Sequence, residues 1–215
     1  RCSRDWSSDV CSSDLISSMA TREVLAELAA LCAQELSLQI VTEAAGGVDV
    51  AKRVQAGEAV DIVALASNVI DKLIAEGRLL AGSRVELVKS GVAIAVRQGA
   101  SAYDVSSEDG VRNAVLAARS LSYSTGPSGT YLQQLFERWG ILASIKDKII
   151  VPPPGVPVGS LVASGQCELG FQQLSELISL AGVDVLGPLP PSIQTTTIFS
   201  GGVSAGSLAP DAARR

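Results

Sequence analysis

The chain has 215 residues, of which 47% are hydrophobic and 18% are charged, and its formal net charge is −5. This length allows one large or two small domains with a substantial core, whereas the acidic balance and the absence of a Lys/Arg run argue against a nucleic-acid surface. The chain contains no histidine, which excludes Ser-His-Asp and Cys-His catalysis and the commonest transition-metal ligand.

The cysteines and the apolar runs exclude further classes of protein. Cys2, Cys11, Cys32 and Cys167 show no CxxC spacing, so neither a zinc site nor a redox motif is indicated. No apolar run approaches the roughly 20 residues needed to span a bilayer. We therefore expect no metal centre, no cofactor and no insertion into a membrane.

The two ends of the chain differ from the rest. Residues 1–14 lack hydrophobic periodicity and resemble adapter-derived sequence, so we expect this segment to be artefactual and exclude it from fold prediction. It occupies the place of a signal peptide, and we expect the signal peptide to be absent from this fragment. Residues 209–215 begin like a helix, with Pro210 near the first position, and then stop.

The first ninety residues predict a strand, a small-residue turn and a helix, three times in succession. The strands are predicted at 15–16, 38–42 and 61–66, and a helix with an apolar stripe follows each. This alternation is typical of an α/β fold with a parallel sheet. Ligands of such sheets bind at the carboxyl ends of the strands. The residues predicted to lie there are Ser17, Ser18, Gly47 and Ser67.

The next hundred residues predict a second α/β unit. Strands at 85–89 and 91–96 lead out of the first unit, and a strand at 194–199 returns to it. Between them, strands are predicted at 149–151, 168–172 and 183–186, and helices at 109–119 and 158–163. The two crossings indicate two lobes joined by a hinge of two crossover strands, with a ligand in the cleft between them. We predict lobe 1 at 15–90 and 195–215 and lobe 2 at 91–194.

Residues 122–141 carry the strongest local signal. A strand end is followed by the small-residue turn 125–130 and by a helix with one apolar stripe, which ends at Gly140. The free amides at such a helix N-terminus attract an anion. A nucleotide loop is not indicated, because no lysine follows the second glycine of the turn. The predicted anion ligands are Ser124, Ser128, Gly129 and Thr130, with Gln172 delivered by the strand at 168–172. The alternative is that Ser128 or Thr130 only caps the helix.

The order and spacing of several segments resemble the periplasmic molybdate-type solute-binding proteins of ABC importers, which belong to the type II periplasmic binding protein superfamily. The segments that carry this resemblance are 51–67, 79–99, 128–140, 165–172 and 183–190. Together they extend over nearly the whole chain between residues 15 and 202. Each motif is weak alone, but their shared order makes the assignment to the superfamily specific.

The resemblance implies a two-lobed fold, each lobe a mostly parallel sheet flanked by helices, with the C-terminal helices of lobe 1 missing. It also implies a monomeric, non-catalytic periplasmic or extracytoplasmic protein that captures a small anion for an ABC permease. The first-helix serine of the family falls at Ala20, its serine-rich second turn at 46–48 and its late tyrosine near 171–172. The anion therefore stays open between a molybdate-like oxyanion and a small carboxylate.

Two other classes of function share this fold. The same fold serves as the ligand-sensing effector domain of transcription regulators, and we keep this as the alternative. An enzyme is not expected, because Ser67, Ser124 and Gln172 have no candidate base near them in sequence. Fold alone does not decide between these classes.

Overall fold

The computed structural model describes residues 12–101, 103–153 and 155–214. The described chain divides into two compact units. Unit 1 contains the residues up to Lys89 and those from Ile198 onward, and unit 2 is Ser90–Thr197. None of the helices in the described ranges is both long and apolar enough to cross a membrane.

Strands and helices alternate along most of the chain. The strands are β1 (Ser12–Ser18), β2 (Gln39–Ala45), β3 (Ile62–Ala66), β4 (Val85–Arg97), β5 (Leu121–Tyr123), β6 (Leu169–Gln173), β7 (Val183–Pro188) and β8 (Thr196–Val203). The α-helices are α1 (Arg22–Leu36), α2 (Gly47–Gln55), α3 (Ser67–Ala75), α4 (Glu108–Ala117), α5 (Pro127–Arg138), α6 (Leu142–Ile145), α7 (Val158–Ala163), α8 (Leu174–Leu177) and α9 (Pro210–Ala213). The predicted α/β class is confirmed.

In unit 1 the strands lie in the order β2-β1-β3-β8. β1 is parallel to both β2 and β3, whereas β8 is antiparallel to β3. Helices α2 and α3 pack their apolar faces against the sheet, where Ile16, Val50, Leu65 and Ile70 are fully buried. Because β1, β2 and β3 run in the same direction, their carboxyl ends meet at one edge of the sheet.

In unit 2 the order is β4-β6-β5, with β7 on the other side of β4. β5 and β6 are parallel, and β4 is antiparallel to both β6 and β7. The core contains an aromatic pair, Phe136 of α5 and Phe171 of β6, whose ring centroids are 6.1 Å apart in an edge-to-face arrangement. The carboxyl ends of β5 and β6 therefore lie together beside the start of α5.

The structure differs from the sequence predictions at several boundaries. The strands predicted at 85–89 and 91–96 form one continuous strand, β4. The strand predicted at 149–151 is wrong, since Ile149 makes only an isolated bridge to Leu121. Pro152 and Pro153 follow directly and have no amide to donate, so a ladder does not continue there. β1 begins at Ser12, so residues 12–14 of the excluded segment belong to the strand, and residues 1–11 lie outside the described ranges.

Candidate anion-binding site

Ser17 and Ser18 end β1, and their side chains point to opposite faces of the sheet because strand residues alternate. The Ser17 hydroxyl donates to the Ser18 carbonyl oxygen at 3.3 Å and lies 3.5 Å from the Glu43 carbonyl oxygen. Ser18 is only 6% exposed, and its Oγ has no hydrogen-bond partner among the described residues. A buried hydroxyl without a partner costs free energy. The Ser18 hydroxyl, and not that of Ser17, is therefore the one able to bind a ligand.

The start of α2 lies directly beside Ser18. A Cβ on Gly47, the first residue of α2, would lie 3.6 Å from the Ser18 Cβ. Gly46 is the N-cap residue, and no side chain of the described residues caps the helix, so the first-turn amide groups have no side-chain acceptor. Exposed Asp49 in the same turn is the nearest competing negative charge within this helix. These amides and the Ser18 hydroxyl form one cluster of donors.

Ser67 begins α3 at the same edge of the unit 1 sheet. Within the part of the chain that the structure describes, no side chain caps α3, and its first turn contains no acidic residue. The Ser67 hydroxyl, however, donates to the Ile198 carbonyl oxygen at 3.0 Å and lies 2.6 Å from Ser200 Oγ. The Ser67 hydroxyl therefore joins α3 to β8, and a ligand contact through the Ser67 backbone amide stays a prediction.

The start of α5 in unit 2 shows the same lack of a side-chain cap. Gly126 is the N-cap residue, Pro127 is the first helical residue, and the first turn is free of acidic residues. Ser128 is 4% exposed and its Oγ lies 2.8 Å from Ser124 Oγ. Thr130 Oγ1 donates to the Gly126 carbonyl oxygen at 3.4 Å. Neither hydroxyl caps the helix, so the capping alternative is wrong.

Gly129 explains why the two serines meet. A Cβ on Gly129 would lie 1.6 Å from the Ser124 carbonyl oxygen, a distance that no side chain tolerates. The backbone of Ser124 therefore folds directly onto the first turn of α5. This close approach brings the hydroxyls of Ser124 and Ser128 together at the carboxyl end of β5.

A cavity of about 290 Å³ opens beside this turn. Its lining residues are Tyr123, Ser124, Thr125, Gly129, Thr130, Gln133 and 149–152. The described lining combines hydroxyls and one side-chain amide with an apolar wall formed by residues 149–152, and it contains no Lys, Arg, Asp or Glu. Burial raises the pKa of the Tyr123 phenol, which therefore stays protonated and able to donate a hydrogen bond at neutral pH. The cavity suits an anion bound through neutral donors.

Gln172 and Gln173 end β6, next to β5, and only one of them was predicted as a ligand. Gln172 Oε1 accepts from the Gly159 amide at 2.8 Å, and its Nε2 donates to Glu176 Oε2 at 2.5 Å. Both groups of Gln172 thus have partners within unit 2. Gln173 Nε2 donates to Thr197 Oγ1 at 2.8 Å, but its Oε1 is buried without a partner in the described chain. Because rotation of the amide exchanges oxygen and nitrogen, Gln173 is able to offer a ligand either an acceptor or a donor.

A sequence model described as "Bacterial extracellular solute-binding protein" matches residues 14–215. The chain belongs to this family. The predicted assignment to solute-binding proteins is confirmed at this level, and the predicted specificity for a molybdate-like ion stays a prediction.

One curated relative is an enzyme by name. The chain is 40% identical over 163 residues to the aconitate isomerase of a Pseudomonas species. The match covers 75% of this chain and 62% of that protein, so the chain spans less than two thirds of the length of its curated relative.

Solved structures of the same fold include several solute-binding proteins. The periplasmic molybdate-binding protein of Azotobacter vinelandii has a TM-score of 0.77 at 19% identity, covering 94% of this chain and 89% of that one. The sulfate-binding protein of Mycobacterium tuberculosis has a TM-score of 0.71 at 15% identity, covering 94% and 79%. The substrate-binding domain of a molybdenum transporter from Clostridium difficile has a TM-score of 0.68 at 15% identity, covering 95% and 89%. At these identities the likeness shows the fold alone.

The neighbouring serines of β1 give the first prediction. Ser18→Ala should leave the free energy of unfolding unchanged or slightly raised, because it removes a buried hydroxyl that has no partner. It should weaken the binding of an anion to the donor cluster at the start of α2 about tenfold or more, the effect of one lost charge-assisted hydrogen bond. Ser17→Ala is the matched control and should leave affinity unchanged. Thermal melts and calorimetric titrations of both variants test this, and equal affinities for the two would remove Ser18 from the site.

Proposed function

We propose that this chain binds a small carboxylate, of the aconitate or related polycarboxylate class, in the periplasm for delivery to an ABC permease. The observation that carries the proposal is the unit 2 cavity, in which neutral donors face an apolar wall and no charged side chain lines the described surface. The family match supports a binding protein outside the cytoplasm. The same match favours this reading over the effector domain of a regulator.

The donors suit an ionised ligand although no lysine or arginine lines this cavity. Hydrogen bonds from neutral donors to an ionised group contribute about 1.5–3 kcal/mol each. The uncapped first turn of α5 adds the positive end of a helix dipole. Several such bonds give useful affinity without a buried ion pair and its desolvation cost.

The apolar wall favours a carboxylate over an inorganic oxyanion. Molybdate and sulfate present only oxygen atoms, so contact with Ile149, Ile150 and Val151 would contribute nothing to their binding. A polycarboxylate has a carbon skeleton that such a wall covers, while its oxygen atoms meet the hydroxyl of Ser124, which Ser128 Oγ supports from 2.8 Å. The 40% identical relative, named for its action on aconitate, supports the same class of ligand.

Aconitate isomerisation itself is the second candidate function, and the name of this relative is what favours it. Moving a proton between carbon atoms of the substrate needs a general acid and a general base. The chain has no histidine, and the titratable side chain among the described residues that line the cavity is that of Tyr123. A protonated phenol is suited to hold a carboxylate and poorly suited to act as a base. Binding without chemistry is therefore our first candidate.

Calorimetry with cis-aconitate, trans-aconitate, citrate, molybdate and sulfate separates the ligand classes. We expect at least one carboxylate to bind about tenfold or more tightly than either inorganic anion. Tighter binding of molybdate would overturn the proposed ligand class while leaving the family intact. Proton NMR of the same aconitate samples over hours then tests isomerisation. Binding with no new isomer supports a transport protein, and accumulation of the other isomer, absent from a protein-free control, establishes the second candidate instead.

A further inference from the structure

A larger cavity, of about 660 Å³, lies at the opposite edge of the unit 2 sheet from the Ser124 turn. Its lining includes Ser120 and Glu168, which directly precede β5 and β6. It also includes Arg97, the last residue of β4, which runs antiparallel to β6. The candidate anion-binding site lies at the other ends of β5 and β6. The length of these strands therefore separates this cavity from the candidate anion-binding site. The proposed function does not involve this cavity.

Glu168 is the acidic group of the described lining, and its carboxylate is already fully engaged. Tyr103 donates its hydroxyl to Glu168 Oε1 at 2.7 Å. Arg119 donates both its backbone amide, at 2.9 Å, and its Nε, at 3.0 Å, to Glu168 Oε2. The hydrogen bond from Tyr103, followed by those from Arg119, holds the pKa of Glu168 below its usual value. The carboxylate therefore stays ionised at neutral pH and has a bonded donor on each oxygen.

Two guanidinium groups keep donors that this carboxylate does not use. Arg119 meets Glu168 through Nε, and its side chain is 89% exposed, which leaves the terminal Nη groups open to the cavity. Arg97 forms no ion pair with any described residue and lies against the turn at Gly165, where an added Cβ would be 3.3 Å from Arg97 Nη1. Gly165 has a φ of +76°, so a glycine both permits the turn and makes room for the arginine.

We propose that this cavity is a second binding site, one that takes an oxyanion group on Arg97 and Arg119. The cavity lining has two guanidinium groups and one carboxylate, so its net charge is positive. Arginine is the residue best suited to bind two oxygen atoms of a carboxylate or phosphate at once. The hydroxyl of Ser120 accepts from the Glu168 amide at 3.1 Å and keeps its own hydrogen to donate to the same ligand. An oxyanion could come from inorganic phosphate or from a small carboxylate, and both share this chemistry.

The test uses the full chain labelled with ¹⁵N, and the readout is the Nε–Hε resonance of each arginine. Titration with inorganic phosphate and, separately, with citrate should shift the Arg97 and Arg119 signals along saturable curves. Whichever probe saturates at lower concentration identifies the source of the oxyanion. Arg97→Gln should weaken the response of Arg119 about tenfold or more, since one charge-assisted contact is lost. Arg138→Gln, an equal change of charge in the same unit, is the matched control and should have no effect.

Gly165→Ala tests the geometry without changing the charge. It should displace the Arg97 guanidinium and weaken binding, while Ser128→Asp, at the other edge of the sheet, should leave these titrations unchanged. Melting curves of all variants confirm folding before the titrations are compared. Linear, unsaturable shifts shared by all arginines, or identical affinity in Arg97→Gln and Arg138→Gln, would overturn the second site whatever the outcome at the Ser124 turn.

Discussion

Replacing Ser128 with Asp should abolish anion binding at the start of α5 while the protein still folds. The new carboxylate would take the place of a hydroxyl that lies 2.8 Å from Ser124 Oγ. Two like charges about 4 Å apart repel by about 4 kcal/mol at an effective dielectric constant of about 20. This corresponds to roughly a thousandfold loss of affinity. An acidic side chain in the first turn of a helix stabilises it by about 0.3–1 kcal/mol, which offsets part of the cost of placing a carboxylate at a position that is 4% exposed.

Two further variants isolate the cause. Ser128→Ala removes one hydrogen bond without adding charge, and we expect a loss of about 1.5–3 kcal/mol, or roughly ten- to two-hundredfold in affinity. Gln134→Asp adds the same charge at an exposed position of α5 and should leave affinity nearly unchanged. Calorimetry with the tightest carboxylate found for the parent protein, paired with melting curves, makes the comparison. If Ser128→Asp binds as tightly as the parent, the site is not at this turn.

The elements of the fold could be predicted from sequence because their signals are local. The apolar stripe of α5 and the alternation of strands with helices in unit 1 depend on residues a few positions apart. The two predicted strands form the single strand β4, because Ser90 and Gly91 interrupt the apolar pattern but keep the strand conformation. Polarity at one position says little about backbone pairing.

The side chain at the end of β6 was harder to predict than the strand itself. A strand places successive side chains on opposite faces, and β6 ends one position later than predicted, so Gln173 and not Gln172 is its last residue. Gln172 is satisfied by Gly159 and Glu176, whereas Gln173 keeps a buried atom without a described partner. The position of Pro127 was the overlooked signal at α5, since proline favours the first helical position and thereby makes Gly126 the cap.

The second cavity could not be predicted from sequence, because its residues are brought together by pairing between distant strands. Arg97, Arg119 and Glu168 lie far apart along the chain and meet only because β4 runs antiparallel to β6. No short motif contains two of them. Hydrophobic periodicity locates the strands, but it does not say which strand ends share an edge of the sheet.

Gly129→Ala should destabilise unit 2 more than any other single methyl addition in this turn. The new Cβ would lie 1.6 Å from the Ser124 carbonyl oxygen, and the atom it meets belongs to the backbone, so no side chain can rotate away. Either the first turn of α5 or the end of β5 has to move. Overpacking in a well-packed region costs about 1–3 kcal/mol and sometimes more. Because the backbone has to shift, we expect Gly129→Ala to lower the free energy of unfolding by about 3 kcal/mol.

The matched control is Gly126→Ala in the same turn. Its added Cβ would meet nothing closer than Ser124 Oγ at 3.9 Å, and Gly126 has a φ of −86°, which alanine adopts without strain. We expect Gly129→Ala to lower the melting temperature by about 6–12 °C, since about 1 kcal/mol corresponds to about 2–4 °C in chains of this size, and Gly126→Ala to leave it nearly unchanged. Carboxylate binding should fall with Gly129→Ala even well below its melting temperature, because the shift separates the Ser124 and Ser128 hydroxyls. Equal melting temperatures and affinities for the two variants would mean that the contact between Ser124 and Gly129 does not hold this turn together.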